Sequence, residues 1–389
     1  MPPGDERGGG RDHGLRRRRK VPGGHGALNQ RKRLLRLVEA FKGRRSLLVQ
    51  THNNPDPDAI ATAYALVYLF ERYTGCTGRI CFGGVVGRSE NRAMLRQLNI
   101  QVIPSERTDY RAWDLIALVD SQPGFRYNPM PEEIVPQIVI DHHPPRDDSI
   151  PDEVEVAILL EEYGATASIM ADLIAANRIP VTETVATALA YGIKADTQDL
   201  GRETSEGDIR AYTYIFALAN KRVISRIEAA RVPRNYFQEF GKAIENAVIY
   251  DIAVLSDLGD IEVADMAAEM ADFLMRLQGI RWSFVMGRRG DVLHLSLRAS
   301  DEKLNSGEAI SAAVGTHGSC GGHAAMAGGQ IPVAGKSDEE IEAIREDVFA
   351  SFLGAIKVKR SLRKPLVGED EEEENEKNEK LPTRNSQGS

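Results

Sequence analysis

Short aliphatic runs alternate with longer amphipathic ones through most of this chain. SLLVQ (Ser46–Gln50), RICF (Arg79–Phe82), WDLIALV (Trp113–Val119) and QIVI (Gln137–Ile140) are too short for helices, and their aliphatic content predicts buried strands. Helical spacing runs over Ala59–Arg72, Glu90–Leu98, Thr166–Asn177 and Glu183–Ile193. This alternation, from about Gln30 to Arg231, predicts an α/β fold: a doubly wound, mostly parallel sheet with helices on both faces. A connecting helix over Asn235–Tyr250 then leads to a smaller C-terminal α/β domain. Its expected strands are Ile252–Leu255, Arg281–Met286 and Val292–Arg298, with hairpin-turn chemistry at Gly287–Asp291. Helices are expected at Val263–Gln278, Asn305–Val314 and Ser337–Leu353, and a Gly-rich stretch at Gly315–Gly329. The predicted boundaries are a basic arm at 1–29, a first domain at 30–231, a linker helix at 232–250, a second domain at 251–357 and an acidic tail at 358–389. Two such domains are expected to leave a cleft, a common place for a ligand.

Charge changes the picture only at the ends. The net charge of −8 conceals a basic start, with the Arg16–Lys20 run, and an acidic end at Glu369–Glu374. Like-charge blocks repel themselves and are expected to be disordered, although a basic arm can also hold nucleic acid. Three cysteines are too few for a disulfide framework and point to a reducing, cytoplasmic setting. The longest apolar run, Ala59–Phe70, falls short of the roughly 20 residues that cross a bilayer, so no membrane association is expected.

The chemistry lies where the apolar runs end. SLLVQ leads into Thr51-His52-Asn53-Asn54-Pro55-Asp56-Pro57-Asp58, WDLIALV into Asp120, QIVI into Asp141-His142-His143, and Ala190–Ile193 into Lys194-Ala195-Asp196. Ligands of open α/β sheets bind outside the carboxyl ends of the strands. A single Asp after a strand is ordinarily a turn former or helix cap. Four segment ends carrying the same chemistry predict a common site, and converging carboxylates call for a cation. Oxygen donors with a few imidazoles and no nearby cysteine favour Mn²⁺ or Mg²⁺ over structural zinc, and two such ions serve phosphate-ester hydrolysis.

Taken in order, His52-Asn-Asn-Pro-Asp56-Pro-Asp58-Ala59, Asp120, Asp141-His142-His143 and Gly192-Ile-Lys-Ala-Asp196-Thr197 resemble the DHH phosphoesterase superfamily. Ser296-Leu-Arg298 and Gly321-Gly322-His323 resemble the DHHA1 domain that follows it, and the subfamily most similar is the soluble nano-RNase and 3′-phosphoadenosine-5′-phosphate phosphatase type. The resemblance implies two divalent metal ions, Mn²⁺ or Mg²⁺, one on His52, Asp56 and Asp120 and the other on Asp58, Asp120, His142 and Asp196. It also implies that Asp141 orients His142, that His143 faces the scissile phosphate, and that metal-bound hydroxide is the nucleophile. Arg298, Gly321, Gly322 and His323, with Arg202 as a further candidate, are the implied substrate contacts. Short RNA or a small nucleotide (pApA, 3′-phosphoadenosine-5′-phosphate, cyclic di-AMP) is the implied substrate, and a homodimer the implied assembly. Two positions depart from the family pattern: Cys320 stands where a Gly is common and Ala324 where a Lys or Arg is common. The competing readings are a pyrophosphatase or exopolyphosphatase on the same metal core, and a non-catalytic nucleotide sensor.

Overall fold

The structure, a computed structural model, describes residues 25–368 except 126, 146–149, 203 and 324, and only the backbone of residues 25–27, 302 and 323. The chain forms two compact units, residues 25–85 with 98–224, and residues 86–97 with 225–368. The elements up to the boundary are α1 (His25–Phe41), β1 (Ser46–Asn53), α2 (Pro57–Thr74), β2 (Thr77–Gly83), α3 (Ser89–Leu98), β3 (Val102–Pro104), β4 (Leu115–Val119), β5 (Ile138–Asp141), β6 (Val156–Leu159), α4 (Thr166–Ala176), α5 (Glu183–Asp196), α6 (Glu206–Leu218) and α7 (Lys221–Glu228). The first sheet has six strands in the order β3-β2-β1-β4-β5-β6, every neighbouring pair parallel.

This order reverses direction between β1 and β4, and the crevice outside their carboxyl ends is where doubly wound sheets bind ligands. Strand residues alternate between the two faces. Leu48, Cys81, Ile116, Leu118 and Val139 share one face with Tyr110 and Met130. Among the described residues that face is covered by connecting segments, not by the helices expected there. Leu47, Val49, Leu115, Ala117 and Ile138 are fully buried, and α2 packs on β1, β2 and β4 and against α4 and α5. Gly192 permits the α2–α5 approach. A Cβ there would stand 2.8 Å from Ala61 Cβ and 3.0 Å from the Pro57 carbonyl oxygen. Gly192→Ala should therefore cost about 1–3 kcal/mol as overpacking, read as a lower urea midpoint at unchanged m-value. An undiminished midpoint would show that the helices part freely.

The second unit holds α8 (Arg234–Glu245), β7 (Val248–Tyr250), β8 (Ala253–Asp260), α9 (Met266–Leu274), β9 (Trp282–Arg289), β10 (Val292–Ala299), α10 (Ser306–Val314), β11 (Ser319–His323), β12 (Met326–Pro332), α11 (Asp338–Ala355) and β13 (Arg363–Pro365). Its sheet runs β11-β12-β10-β9-β8-β7-β13, antiparallel except for the β8–β9 pair. Alternation again builds two cores. Leu255, Phe284, Met286, Leu295 and Leu297 face Ile310, Val348 and Phe352 of α10 and α11, whereas Val254, Leu258 and Val285 face Ala243 of α8 and Met270 of α9.

Four expectations change. The helix predicted over Asn235–Tyr250 ends at Glu245, because Val248–Tyr250 pairs with β8; α8 also packs into the second unit's core. The acidic tail was expected from 358, yet Arg363–Pro365 adds β13 to the sheet edge. The Gly-rich stretch is a β11–β12 hairpin. The basic arm, expected over 1–29, gives way to α1 at His25, and residues 1–24 lie outside the described residues, as does the tail beyond 368. Among the described residues no helix is long and apolar enough to cross a membrane.

Candidate metal centre

Three strand ends and two helix ends converge at the crevice. His52 lies near the end of β1, Asp56 caps α2 by accepting the Ala59 N–H at 3.0 Å, and Asp58 sits in the first turn of α2. Asp120 follows β4 and Asp141 ends β5, with His142 and His143 next. Asp196 arrives differently. It ends helix α5, not a strand, so the fourth segment end of the sequence pattern is helical.

Asp120 is the centre of the cluster. Its backbone is left-handed (φ +54°), a conformation that Asp adopts more readily than most residues and that recurs at functional sites. Oδ2 lies 3.4 Å from His52 Nε2, while Oδ1 lies 3.8 Å from His142 Nε2 and accepts a 2.8 Å hydrogen bond from Thr166 Oγ1. Three sets have donor atoms within 4.8 Å of one another: His52, Asp56 and Asp120; Asp58, His142 and Asp196; and Asp120, His142 and His143. The first expected set is gathered whole and the second without Asp120, whose Oδ1 nevertheless lies 3.8 Å from the His142 Nε2 of that set.

The imidazoles are pre-oriented. His52 Nδ1 is 2.8 Å from the Asn53 carbonyl oxygen and His142 Nδ1 is 3.1 Å from that of Tyr163. A carbonyl only accepts, so each Nδ1 carries a proton and each Nε2 is turned to the carboxylates, where it can hold a second proton or a cation. Metal-binding histidines are ordinarily held in this way. Asp141 plays another part from the one expected. Its Oδ1 holds His143 Nδ1 at 2.8 Å and accepts the backbone N–H groups of both histidines, while Oδ2 accepts from Gln122 Nε2 at 2.7 Å. It orients the ring of His143, not of His142, whose Nδ1 the Tyr163 carbonyl already occupies.

Crowding shows in the protonation equilibria. Burial, then repulsion from Asp120, Asp196 and Asp56, holds the Asp58 carboxyl well above its usual range, though the Ala167 N–H works against this. Burial and the charges of Asp56 and Asp120 do the same to Asp196. Burial alone would raise Asp120, but the His52 hydrogen bond and the charges of His143, His52 and His142 hold it well below. Burial opposes charge on His52 and His143, yet Asp120 and Asp56 raise His52 well above its ordinary value, and Asp141 and Asp120 push His143 up to about 9. Protons on His52 and His143 thus offset the carboxylates where a cation could. The donor set, all oxygen and imidazole nitrogen, fits hard divalent ions.

Sequence reasoning missed Thr166, Gln122 and the Tyr163 carbonyl, which fall outside the motifs. Asp58 gives the closest signal to them: its oxygens accept the Thr166 and Ala167 N–H groups at 2.7 and 2.6 Å, as a cap on α4. Among the expected substrate contacts, Arg202 is near enough for its charge to lower the Asp196 pKa. Arg298 and Ser296 lie on the α9 face of the second sheet, because Leu295 and Leu297 fill the opposite one. Arg298 there donates to Asp272 and to Ser296 Oγ, with 12% of its side chain exposed. Gly321 and Gly322 belong to edge strand β11. At Gly322 a Cβ would meet Ala327 Cβ at 2.3 Å, so close strand packing accounts for the absence of a side chain. His323 ends β11, and its side chain lies outside the described residues, as does Ala324. Cys320 is partly buried against the core that α10 and α11 cover.

The comparisons with known proteins agree with this layout. Residues 46–193 match the DHH family, N-terminal domain, and residues 248–351 match the DHHA1 domain. An uncharacterized protein of Methanocaldococcus jannaschii is 34% identical over 337 residues, covering 85% of this chain and 68% of that protein. The cyclic-di-AMP phosphodiesterase GdpP of Geobacillus thermodenitrificans is 31% identical over 160 residues, 40% of this chain but only 24% of that protein. An exopolyphosphatase-related protein from Bacteroides fragilis shares the fold, with a TM-score of 0.65 at 15% identity over 84% of this chain and 98% of that one. The chain is a member of the DHH family, with the DHH domain followed by the DHHA1 domain.

Proposed function

We propose that this chain is a divalent-cation-dependent phosphoesterase, with Mn²⁺ as the preferred ion, acting on short oligoribonucleotides or small nucleotides such as pApA, 3′-phosphoadenosine-5′-phosphate or cyclic di-AMP. The observation that carries the reading is Asp120, whose two oxygens face His52 on one side and His142 on the other. His52, Asp56 and Asp120 would hold one ion, and Asp58, His142 and Asp196, joined by Asp120 through its approach to His142, the other. Ions bound there supply charge for the phosphoryl oxygens and a water activated at neutral pH. The chain's own contribution is to fix the donors and to place His143. With Nδ1 held by Asp141, whose hydrogen bond raises the pKa of the ring, His143 can carry a proton on Nε2 to meet charge developing on a phosphoryl or leaving oxygen. The name of the Geobacillus relative, which aligns with part of this chain, supports including cyclic di-AMP.

Asp141→Asn removes the charge that raises His143. The alkaline limb of the pH–rate profile should move to lower pH and kcat should fall by about 10–100-fold, the usual scale for groups that orient site residues. Metal content should stay at the wild-type level. An unmoved alkaline limb would take His143 out of the mechanism.

A panel of pApA, 3′-phosphoadenosine-5′-phosphate, cyclic di-AMP, RNAs of two to five nucleotides and pyrophosphate, run with Mn²⁺ and with Mg²⁺, tests the substrate class. Faster turnover of the nucleotides is expected. Faster turnover of pyrophosphate would favour the pyrophosphatase reading, and tight binding of a nucleotide left uncut by the metal-loaded protein would favour the sensor.

A further inference from the structure

The cluster of carboxylates and imidazoles can hold a phosphate, but nothing in it reads what is esterified to that phosphate. Such discrimination has to come from side chains beside His52 and His143. The loop after β4 supplies one. Asn53 N–H donates to the Tyr127 carbonyl at 2.7 Å, which fastens this loop to the end of β1. The Tyr127 ring then stands edge-on to His52 at a centroid distance of 6.0 Å and 6.4 Å from His143. Phe125 lies 5.2 Å behind it and 6.5 Å from His143. The two aromatics differ in burial: Phe125 is 8% exposed and packs as a core residue, whereas Tyr127 is 39% exposed. A part-exposed ring, backed by a buried one, thus borders the two imidazoles of the cluster.

We infer that Tyr127, supported by Phe125, is a stacking platform for the planar base next to the scissile phosphate, and that it selects nucleotide esters over pyrophosphate. The inference rests on the phosphoesterase reading of the same site. A phosphate contacted by His143 carries its base one sugar away, on the scale of the His143–Tyr127 separation. Every base has a π-face, so this recognition tolerates sequence and favours small nucleotides as a class. Stacking on one ring is worth about tenfold or more in affinity.

Tyr127→Ala, Tyr127→Leu and Tyr127→Phe separate ring from bulk and from hydroxyl. KM for pApA with Mn²⁺ should rise about tenfold in the Ala and Leu variants, with a smaller change in kcat, and Phe should restore most of the affinity. Independently, a dinucleotide containing 2-aminopurine should lose fluorescence on binding the wild-type or Phe protein and keep more of it with Ala or Leu. An unchanged KM and equal quenching in the Ala variant would overturn the platform. So would a Phe variant as impaired as Ala, since the hydroxyl would then be the contact. If the wild-type protein cleaves nothing, the phosphoesterase reading fails, and the fluorescence experiment still tests the platform because it needs no turnover.

Discussion

Asp120→Asn is expected to lower kcat/KM for nucleotide hydrolysis by about 10³-fold while leaving the fold intact. Asn keeps the shape of Asp and one oxygen acceptor, but it loses the charge and the second oxygen. In the wild type those two oxygens meet His52 on one side and His142 with Thr166 on the other. A residue shared by both proposed ligand sets could not be replaced from either. Losing several kcal/mol of charge stabilisation corresponds to a fall of this size, at 1.36 kcal/mol per factor of ten. Circular dichroism with steady-state kinetics checks it; a variant within tenfold of the wild type would show that Asp120 is not shared.

The second large effect is on stability. Saturating Mn²⁺ should raise the Tm of chelator-treated protein by about 10 °C, because a thousandfold excess over Kd contributes about 4 kcal/mol and each kcal/mol moves a unit of this size by about 2–4 °C. Its pH dependence has a definite sign. His52 and His143 have folded pKa values raised above their unfolded ones. Their stabilisation is complete below about pH 6.5 and is lost as pH rises through the folded values, about 9 for His143. The raised carboxyls of Asp58 and Asp196 act in the same sense, and the lowered Asp120 matters only in acid. The metal-free protein should therefore lose Tm from pH 6.5 to 9. Cations compete with those protons, so the Mn²⁺-induced gain should grow over the same window. Differential scanning fluorimetry with and without chelator reads both trends; a flat apo profile together with no Mn²⁺ shift would contradict the site.

Much of the site was legible because strand ends are legible. Short aliphatic runs at Ser46–Gln50, Trp113–Val119 and Gln137–Ile140 announce parallel strands, and the residues after them must reach the same rim. Asp196 was equally visible, since helical spacing over Glu183–Ile193 runs up to it, and the helix continues three residues further to include it. Tertiary choices left no trace in the motifs. Whether Asp141 serves His142 or His143 depends on which ring nitrogen the Tyr163 carbonyl already occupies. Arg298 reads as a free phosphate ligand until Asp272, on α9, is seen to take its guanidinium. The Gly-rich run reads as an anion loop, but backbone approach at Gly322 gives glycine a second reason to be there. Residues 86–97 lie between β2 and β3 in the chain and yet belong to the second unit, which periodicity cannot reveal.

In the proposed function, one Asp-bridged pair of divalent ions would carry the phosphoesterase activity. AMP released from pApA by chelator-stripped protein, measured as Mn²⁺ is added back equivalent by equivalent, tests it most directly. No release is expected without metal, and a rise to a plateau near two equivalents per chain as it is restored. Undiminished release from the stripped protein, or none at saturating Mn²⁺, would contradict it.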